Sequence, residues 1–496
     1  MKPMRTGHPG DMTALSVSVG VILGLALAAV VCTDPLLSHL INLSYLEKYP
    51  FLLTVCVAGL GFLAWLVAIR ARFIWERQDV LLFILPIILA SQLVGLSLGK
   101  IDPMEITLAL LLPVWLASTL AGTQYPIRVN ATLMMILALL GFAFLSAINE
   151  PLSTFVHAIL ALIVKFVAFF LLSQFIRTIA LVRSAIRVMI GVGVFAALAG
   201  IAQVVLYLTT NIVLTCVIDK TQNFKDTPWG VMLRASGFSP RPQHLSSFLV
   251  VVLPVLLFVT FLPGVPPLRR WLGLLGVVVV CTGITLTLSV TGWIAMLLEI
   301  LLFPYFRWPS RSIHFTSILA GSGVLVYVSG LFDWLSRNYL RHSGLFKGEG
   351  QRMYLMTLAF EQLHRSPLVG VGLKNFENFT KNFRRLPVHN TYLQAATEVG
   401  VLGGICFLSI FLYALIRLLY LNSHVSDKNE TFMIRVLLLG LVALMVSGIA
   451  EPNFDHPNTW VYLGILDGAI MTFLLRLQGE RAVSRQGEIL PAGGAA

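Results

Sequence analysis

The residues best suited to chemistry in this sequence are His389 and Asn390, which end a long, basic, polar segment. Gly400 and Gly403 follow at the start of the next apolar run. A neutral imidazole can take a proton from a hydroxyl near pH 7, because its unperturbed pKa is about 6.5. Asn390 is expected to orient the ring or bind hydroxyl groups, and the glycines allow close backbone approach. By itself this pair favours the plainer alternative, a loop histidine held by ordinary hydrogen bonds.

A second candidate feature is a pair of arginines, Arg234 and Arg241, seven residues apart just before an apolar run. A guanidinium offers a fixed fork of donors that matches phosphate oxygens and stays charged at any relevant pH. The alternative is that these arginines only extend from a span end towards the membrane interface. The pattern predicts an anion-binding pair.

The elements that must position these residues are transmembrane helices. The chain has 496 residues, of which 57% are hydrophobic and 12% charged, and its mean hydropathy is +0.85. A soluble domain carries about 25% charged residues. The fold class predicted is therefore an all-α polytopic membrane protein with about 12–14 transmembrane helices. The net charge of +12 lies mostly in short loops, so it does not indicate nucleic-acid binding.

Fourteen apolar runs approach the ~20 residues that cross a bilayer. They are 13–32, 50–69, 79–98, 104–122, 129–148, 155–176, 188–208, 245–263, 271–288, 292–306, 313–332, 400–416, 436–450 and 459–475. With a cytoplasmic N-terminus, 19 of the 35 Lys and Arg residues fall in cytoplasmic segments. This asymmetry is what the positive-inside rule predicts, and it places both termini in the cytoplasm.

The charge count also defines the domain organisation. Two external segments are basic against the rule, which suggests an anionic ligand. The longer one contains a predicted amphipathic helix, 351–364, with Met356, Ala359, Phe360 and Leu363 at helical spacing and Arg352 on or near its apolar face. The predicted segments are N-terminal transmembrane helices in 1–208, an external loop in 209–244, central helices in 245–332, a large external loop in 333–399, C-terminal helices in 400–476 and a disordered cytoplasmic tail in 477–496.

Other polar residues give weaker signals. Lys165 and Glu299 lie within spans, where a pair between them and a purely structural role are both open. Asp455, in the last external loop, is a candidate to orient His389 or contact sugar, although a polar turn explains that loop slightly better. No metal-binding motif occurs, so neither a metal nor another cofactor is predicted.

The chain resembles the bacterial O-antigen ligase and polymerase family over roughly residues 190–475. His389-Asn390 with Gly400 and Gly403 fits the family's motif at the end of its periplasmic loop. Arg241-Pro242-Gln243-His244-Leu245 fits its Arg-x-x-x-Leu motif, and Arg234 and Arg241 match its spaced arginine pair. The resemblance implies an inverting, metal-independent glycosyltransferase of the bacterial inner membrane, in which His389 activates the acceptor hydroxyl and the arginines bind diphosphate. It also implies that the external loops 209–244 and 333–399 are periplasmic and that the second of them is catalytic.

The implied partners are a glycan donor on undecaprenyl diphosphate, a saccharide acceptor and membrane lipids. The acceptor is the lipid A–core for a ligase and a second lipid-linked repeat unit for a polymerase, and this choice stays open. The stretch Leu288-Ser289-Val290-Thr291-Gly292-Trp293 lacks an arginine that many members carry, and Arg352 is the predicted replacement. A flippase for the same lipid and a scaffold are the rival hypotheses from other classes.

Overall fold

The computed structural model describes residues 127–213, 224–227, 230–237, 239, 241–262, 264–311, 313–318, 325, 328–330, 349–380 and 386–489. The four predicted spans before residue 123 and most of the predicted span 313–332 lie outside this set. Within it, nine helices are long and apolar enough to cross a membrane. Each of them overlaps a predicted span, which confirms the all-α polytopic class.

The described helices are, in chain order, α1 (Ala131–Ser146), α2 (Leu152–Phe175), α3 (Ile179–Thr210), α4 (Pro242–Phe261), α5 (Pro267–Leu286), α6 (Val290–Arg307), α7 (Glu349–Arg365), the short α8 (Phe376–Phe379), α9 (Thr391–His424), α10 (Lys428–Ala450) and α11 (Pro457–Ile489). Strands β1 (Phe224–Thr227) and β2 (Gly230–Leu233) form an antiparallel hairpin between α3 and α4.

Local chemistry sets where several helices begin. The side chains of Asn130, Thr178 and Asn390 accept hydrogen bonds from first-turn amides of α1, α3 and α9, which satisfies donors that the helix leaves unpaired. Helices α4 and α5 start with Pro242 and Pro267. Proline fits the first helical position because its missing N–H has no intrahelical partner there.

The bundle is organised around α4, whose most apolar stretch is 83% buried in protein. It packs against α3, α5, α10 and α6. The corresponding stretches of α1, α5 and α6 are only 28% buried, and their exposed faces carry large apolar side chains such as Phe144, Leu275 and Ile294. In a membrane protein such faces are satisfied by lipid.

Two helix boundaries and the buried face of one helix differ from the sequence predictions. Helix α9 begins at Thr391 rather than at 400, so the residues between Asn390 and Gly400 are helical and His389 lies just before the first turn. Helix α11 continues to Ile489, which corrects the expected disordered tail for 477–489. The predicted loop helix is present as α7, but its buried stripe is Leu355, Ala359 and Gln362, while Phe360 is 61% exposed.

Candidate functional site

The candidate site lies at the end of the bundle where α4, α6, α9 and α11 begin and where α5 and α10 end. His389 and Asn390 come from the segment before α9, and Arg352 from the first turn of α7. Arg234 and Arg241 come from the segment between β2 and α4. Residues far apart in the sequence therefore meet here.

His389 is held as a neutral imidazole. Burial, together with the positive charges of Arg352 and Arg241, lowers the pKa of His389 to about 4. Its Nδ1 atom is buried and has no hydrogen-bond partner among the described residues. A neutral ring with an unused polar atom can receive or donate a proton when a substrate hydroxyl reaches it.

Two guanidiniums, those of Arg241 and Arg352, lie close enough to this histidine to act on its pKa. Arg241 is exposed and Arg352 half-buried, and neither has a hydrogen bond or an ion pair to another described residue. Arg241 also precedes the first turn of α4 without capping it. The positive end of that helix therefore adds to the field of the two arginines. Together they offer an anion a set of unused donors.

Arg234 is more firmly fixed. Its Nε donates to the Thr287 carbonyl at 2.8 Å, and the next residue, Ala235, donates its amide to the Leu286 carbonyl at 2.8 Å. Gln203 also holds this segment, because its Oε1 accepts from the amide of Gly237 at 2.8 Å. Burial lowers the pKa of Arg234 to about 10, so the side chain remains charged near neutral pH.

The structure adds a carboxylate that the sequence interpretation missed. Glu451, at the end of α10, is 3% exposed, and Thr291 Oγ1 lies 3.3 Å from its Oε1. Burial raises the pKa of Glu451, whereas the charges of Arg352 and Arg234 oppose that rise. Thr391 fixes the turn by donating to the Glu451 carbonyl at 2.6 Å and accepting from the Asn453 amide at 2.8 Å. The only sequence signal for Glu451 was its place in the same short loop as Asp455.

Asp455 has a different partner from the one considered in the sequence. Its carboxylate pairs with Lys374 Nζ at 3.4 Å, and His389 Nδ1 has no hydrogen-bond partner among the described residues, Asp455 included. Burial acts to raise the pKa of Asp455, but the charges of Lys374 and Lys165 lower it to about 2. The predicted roles of Asp455 in orienting the ring or contacting sugar stay predictions.

Lys165 and Glu299 do not act as a pair in the described structure. The charge of Lys165 acts on Asp455 and His456, whereas both carboxylate oxygens of Glu299 lack a hydrogen-bond partner among the described residues. Glu299 is fully buried within α6. Lys165 thus belongs to the polar group around Asp455, and Glu299 is separate from it.

Asn390 has a positional role. Its side-chain oxygen accepts from the Leu393 amide at 2.9 Å and caps α9. This cap fixes the start of the helix immediately after His389. The predicted roles of Asn390 in orienting the ring and in binding substrate hydroxyls stay predictions.

Gly400 marks a break in α9. It has φ +84, and a Cβ there would lie 2.1 Å from the Leu368 carbonyl oxygen. The break frees the carbonyls of Thr397 and Glu398, which accept instead from the amides of Val371 and Gly372 at 2.9 and 3.0 Å. The loop after α7 therefore completes the helix from outside, as buried backbone groups require.

The same junction ties α7 to α9. The amide of Val401 donates to the Pro367 carbonyl at 2.8 Å, and α7 packs along α9. Gly403 lies one turn further along, where a Cβ would meet the side chain of Val399 at 2.5 Å. Both glycines thus lie where the helix that carries Arg352 is fixed relative to the helix that follows His389.

Among the described residues, no group of three His, Cys, Asp or Glu side chains is placed to hold a metal ion. The charged groups around His389 are instead mainly cations. Fold and site together define a multi-pass helical membrane protein with a polar, basic site at one end of its bundle.

A family model described as O-Antigen ligase matches residues 275–408. This match confirms, over that segment, the resemblance to the O-antigen ligase and polymerase family. The segment contains Arg352, His389, Asn390, Gly400 and Gly403, whereas Arg234 and Arg241 precede it. No curated protein matches the chain.

Proposed function

We propose that this protein transfers a glycan from undecaprenyl diphosphate to a saccharide hydroxyl on the periplasmic face of the bacterial inner membrane. The family match supports a glycosyltransferase-type enzyme. The observation that carries the proposal is a buried His389, whose Nδ1 has no described partner, close to Arg241 and Arg352, which make no hydrogen bond or ion pair to a described residue. A base beside a cluster of cations fits transfer from a diphosphate donor.

The proposed step balances as a single displacement. His389 takes the proton of the acceptor hydroxyl, and the acceptor oxygen forms a bond to the anomeric carbon. The bond from that carbon to the diphosphate oxygen breaks on the opposite face, and its electron pair stays on the diphosphate. The anomeric configuration is inverted. The charge that develops on the leaving group is stabilised by Arg234, Arg241 and Arg352.

Donor binding and base strength are coupled in this mechanism. With the site empty, burial and the nearby cations keep the pKa of His389 near 4, which makes it a weak base. A bound diphosphate neutralises the field of Arg241 and Arg352, so the pKa of His389 rises towards its ordinary value. The base becomes effective when the donor is in place.

The test uses purified full-length protein in detergent with an undecaprenyl-diphosphate-linked glycan and candidate acceptors. Wild-type protein should form glycosylated acceptor and undecaprenyl diphosphate. The variant His389→Ala should lose about 10²–10⁴-fold in rate, the usual contribution of a general base. The matched control is His424→Ala, at the far end of α9, which should retain the wild-type rate.

Two results would overturn the proposal. Near-wild-type transfer by folded His389→Ala would remove the assigned base. Absence of product in detergent, combined with movement of the lipid-linked glycan across sealed vesicles, would instead support a flippase. The acceptor that reacts decides between ligase and polymerase, since lipid A–core defines the first and a lipid-linked repeat unit the second.

A further inference from the structure

The β-hairpin places a lysine in the same site as the arginines. Lys225 lies on β1 opposite Met232 of β2, and Arg234 follows directly after β2. Phe224 packs edge-on against Tyr207 near the end of α3, with ring centroids 5.6 Å apart. The hairpin is thereby anchored, and Lys225 and Arg234 approach the start of α6 from the same side.

The ammonium of Lys225 is half-buried and has one described partner. Its Nζ donates to the Leu288 carbonyl at 3.0 Å, in the turn between α5 and α6. Burial and the charges of Arg234 and Arg352 lower the pKa of Lys225, Glu451 opposes them, and the net result is a pKa of about 8. Lys225 is therefore within electrostatic reach of three groups of the candidate site.

A structural role alone does not account for this arrangement. An ammonium has three N–H donors, and the bond to Leu288 uses one of them. The site contains four cations, Lys225, Arg234, Arg241 and Arg352. The carboxylate of Glu451 interacts with three of them, Lys225, Arg234 and Arg352. Like charges in a partly dehydrated site repel one another, and a multiply charged anion is the ligand that relieves this repulsion.

We propose that Lys225 binds the diphosphate of the lipid-linked donor, together with Arg234, Arg241 and Arg352. This inference rests on the proposed function and extends it to a residue from the hairpin. The carbonyl of Leu288 fixes the direction of the ammonium, and its two remaining donors are available to phosphate oxygens.

The experiment measures binding of undecaprenyl diphosphate to the full-length protein in detergent at pH 7. Wild-type protein should bind it, and Lys225→Met should bind about 10–100-fold more weakly, the range for a hydrogen bond to a charged group. Lys225→Arg should retain most of the affinity because it keeps the charge. Lys428→Met, which removes the same charge at the first residue of α10, should bind as the wild type does.

A thermal melt of each variant separates loss of binding from loss of folding. If Lys225→Met does not fold, Lys225→Gln takes its place, and a pH series on wild-type protein tests the proposal without any core change. Wild-type affinity should fall as the pH rises above about 8, where Lys225 loses its proton. Lys225→Arg should bind equally well across that range.

The outcomes separate the two proposals. Wild-type affinity retained by folded Lys225→Met, or equal pH dependence in Lys225→Arg and wild type, overturns the role of Lys225 and leaves the proposed function standing. Failure of wild-type protein to bind the lipid diphosphate overturns both. Inorganic diphosphate and undecaprenyl monophosphate serve as separate arms. Wild-type protein should bind undecaprenyl diphosphate more tightly than the monophosphate. Equal affinity for the two lipids would overturn the role of Lys225, because the second phosphate would then need no additional cation.

Discussion

The two ends of the helical bundle use arginine in different ways. At the end where α4 and α6 finish, Arg307 donates to the Phe261 carbonyl at 3.2 Å and Arg435 to the Phe306 carbonyl at 2.7 Å. Both carbonyls belong to helix C-termini, where the last acceptors lack intrahelical partners and cations are favoured. At the site end, Arg241 and Arg352 have no such described partner.

We propose that this difference separates arginines with a structural role from arginines that bind a ligand. An arginine that completes a helix end is already satisfied, and its loss costs stability. An arginine held next to other cations without a partner has its interactions available for a ligand. In the sequence the two groups of arginines cannot be distinguished, because both lie close to the ends of predicted spans. The predictions below test this distinction, beginning with the largest effect.

The first prediction compares an arginine from each end. Arg241→Ala should lower the rate of glycan transfer about 10²–10³-fold, the usual loss when one stabilising donor is removed from a developing anion. Arg435→Ala should instead lower the free energy of unfolding by about 1 kcal/mol or more and leave the rate per folded molecule unchanged. Transfer assays and thermal melts on both variants check this. Equal losses of rate would erase the distinction between the two ends.

The second prediction concerns the carboxylate of the site. Glu451→Gln should destabilise the free protein by about 3 kcal/mol, because it leaves buried cations without their counterion. Undecaprenyl diphosphate should then raise the melting temperature of this variant more than that of wild type, since the ligand supplies the missing charge. Glu430→Gln, which breaks the pair with Arg476 at the opposite end, should leave the ligand-induced shift unchanged. An unchanged shift in both variants would contradict the role given to Glu451.

The third prediction tests the junction that holds the site together. Gly400→Ala should destabilise the protein by about 2 kcal/mol or more, because φ is +84 and the added Cβ would meet the Leu368 carbonyl. Gly191→Ala, in α3, meets no atom within 4 Å, so it should be neutral or stabilising by up to about 1 kcal/mol. Differential scanning calorimetry in detergent measures both. A Gly400→Ala protein as stable as wild type would show that the break in α9 does not require glycine.

The fourth prediction uses pH. Arg352 lowers the pKa of His389, so Arg352→Gln should raise that pKa towards 6.5. A base is inactive when protonated, so the acid limb of the kcat/KM profile, which reports the free enzyme, should move to higher pH. Arg365→Gln, at the exposed end of the same helix, should leave the limb in place. A limb that moves to lower pH, or not at all, would argue that His389 does not feel Arg352.

Part of the site could be predicted because its signals are local. His389, Asn390 and the two glycines form a motif within one short segment, and the spacing of Arg234 and Arg241 is visible along the chain. Arg352 followed from helical periodicity, and it does share a face with the buried Leu355 and Ala359 of α7. The predicted orientation of that helix about its own axis was partly wrong, since Phe360, expected on the buried face, is exposed.

The choice between two acidic residues shows where such signals end. Glu451 and Asp455 belong to one short loop, and both carry a carboxylate. The structure pairs Asp455 with Lys374 and directs Glu451 towards Thr291 and the arginines. The two carboxylates are only four residues apart, and they have different partners because the turn between them is held in one conformation by the hydrogen bond from Thr391 to the Glu451 carbonyl.

The sequence by itself determined the class of the protein, the described spans and the chemical types at the site, because hydropathy and charge are summed over neighbouring residues. Tertiary structure decided that the hairpin brings Lys225 close to Arg234 and that Glu451, rather than Asp455, interacts with Lys225, Arg234 and Arg352. It also decided that backbone amides of the loop after α7 pair with the carbonyls freed by the break at Gly400. These contacts join segments distant along the chain. They are fixed by the hydrogen bonds and packing of the folded bundle, which no local pattern encodes.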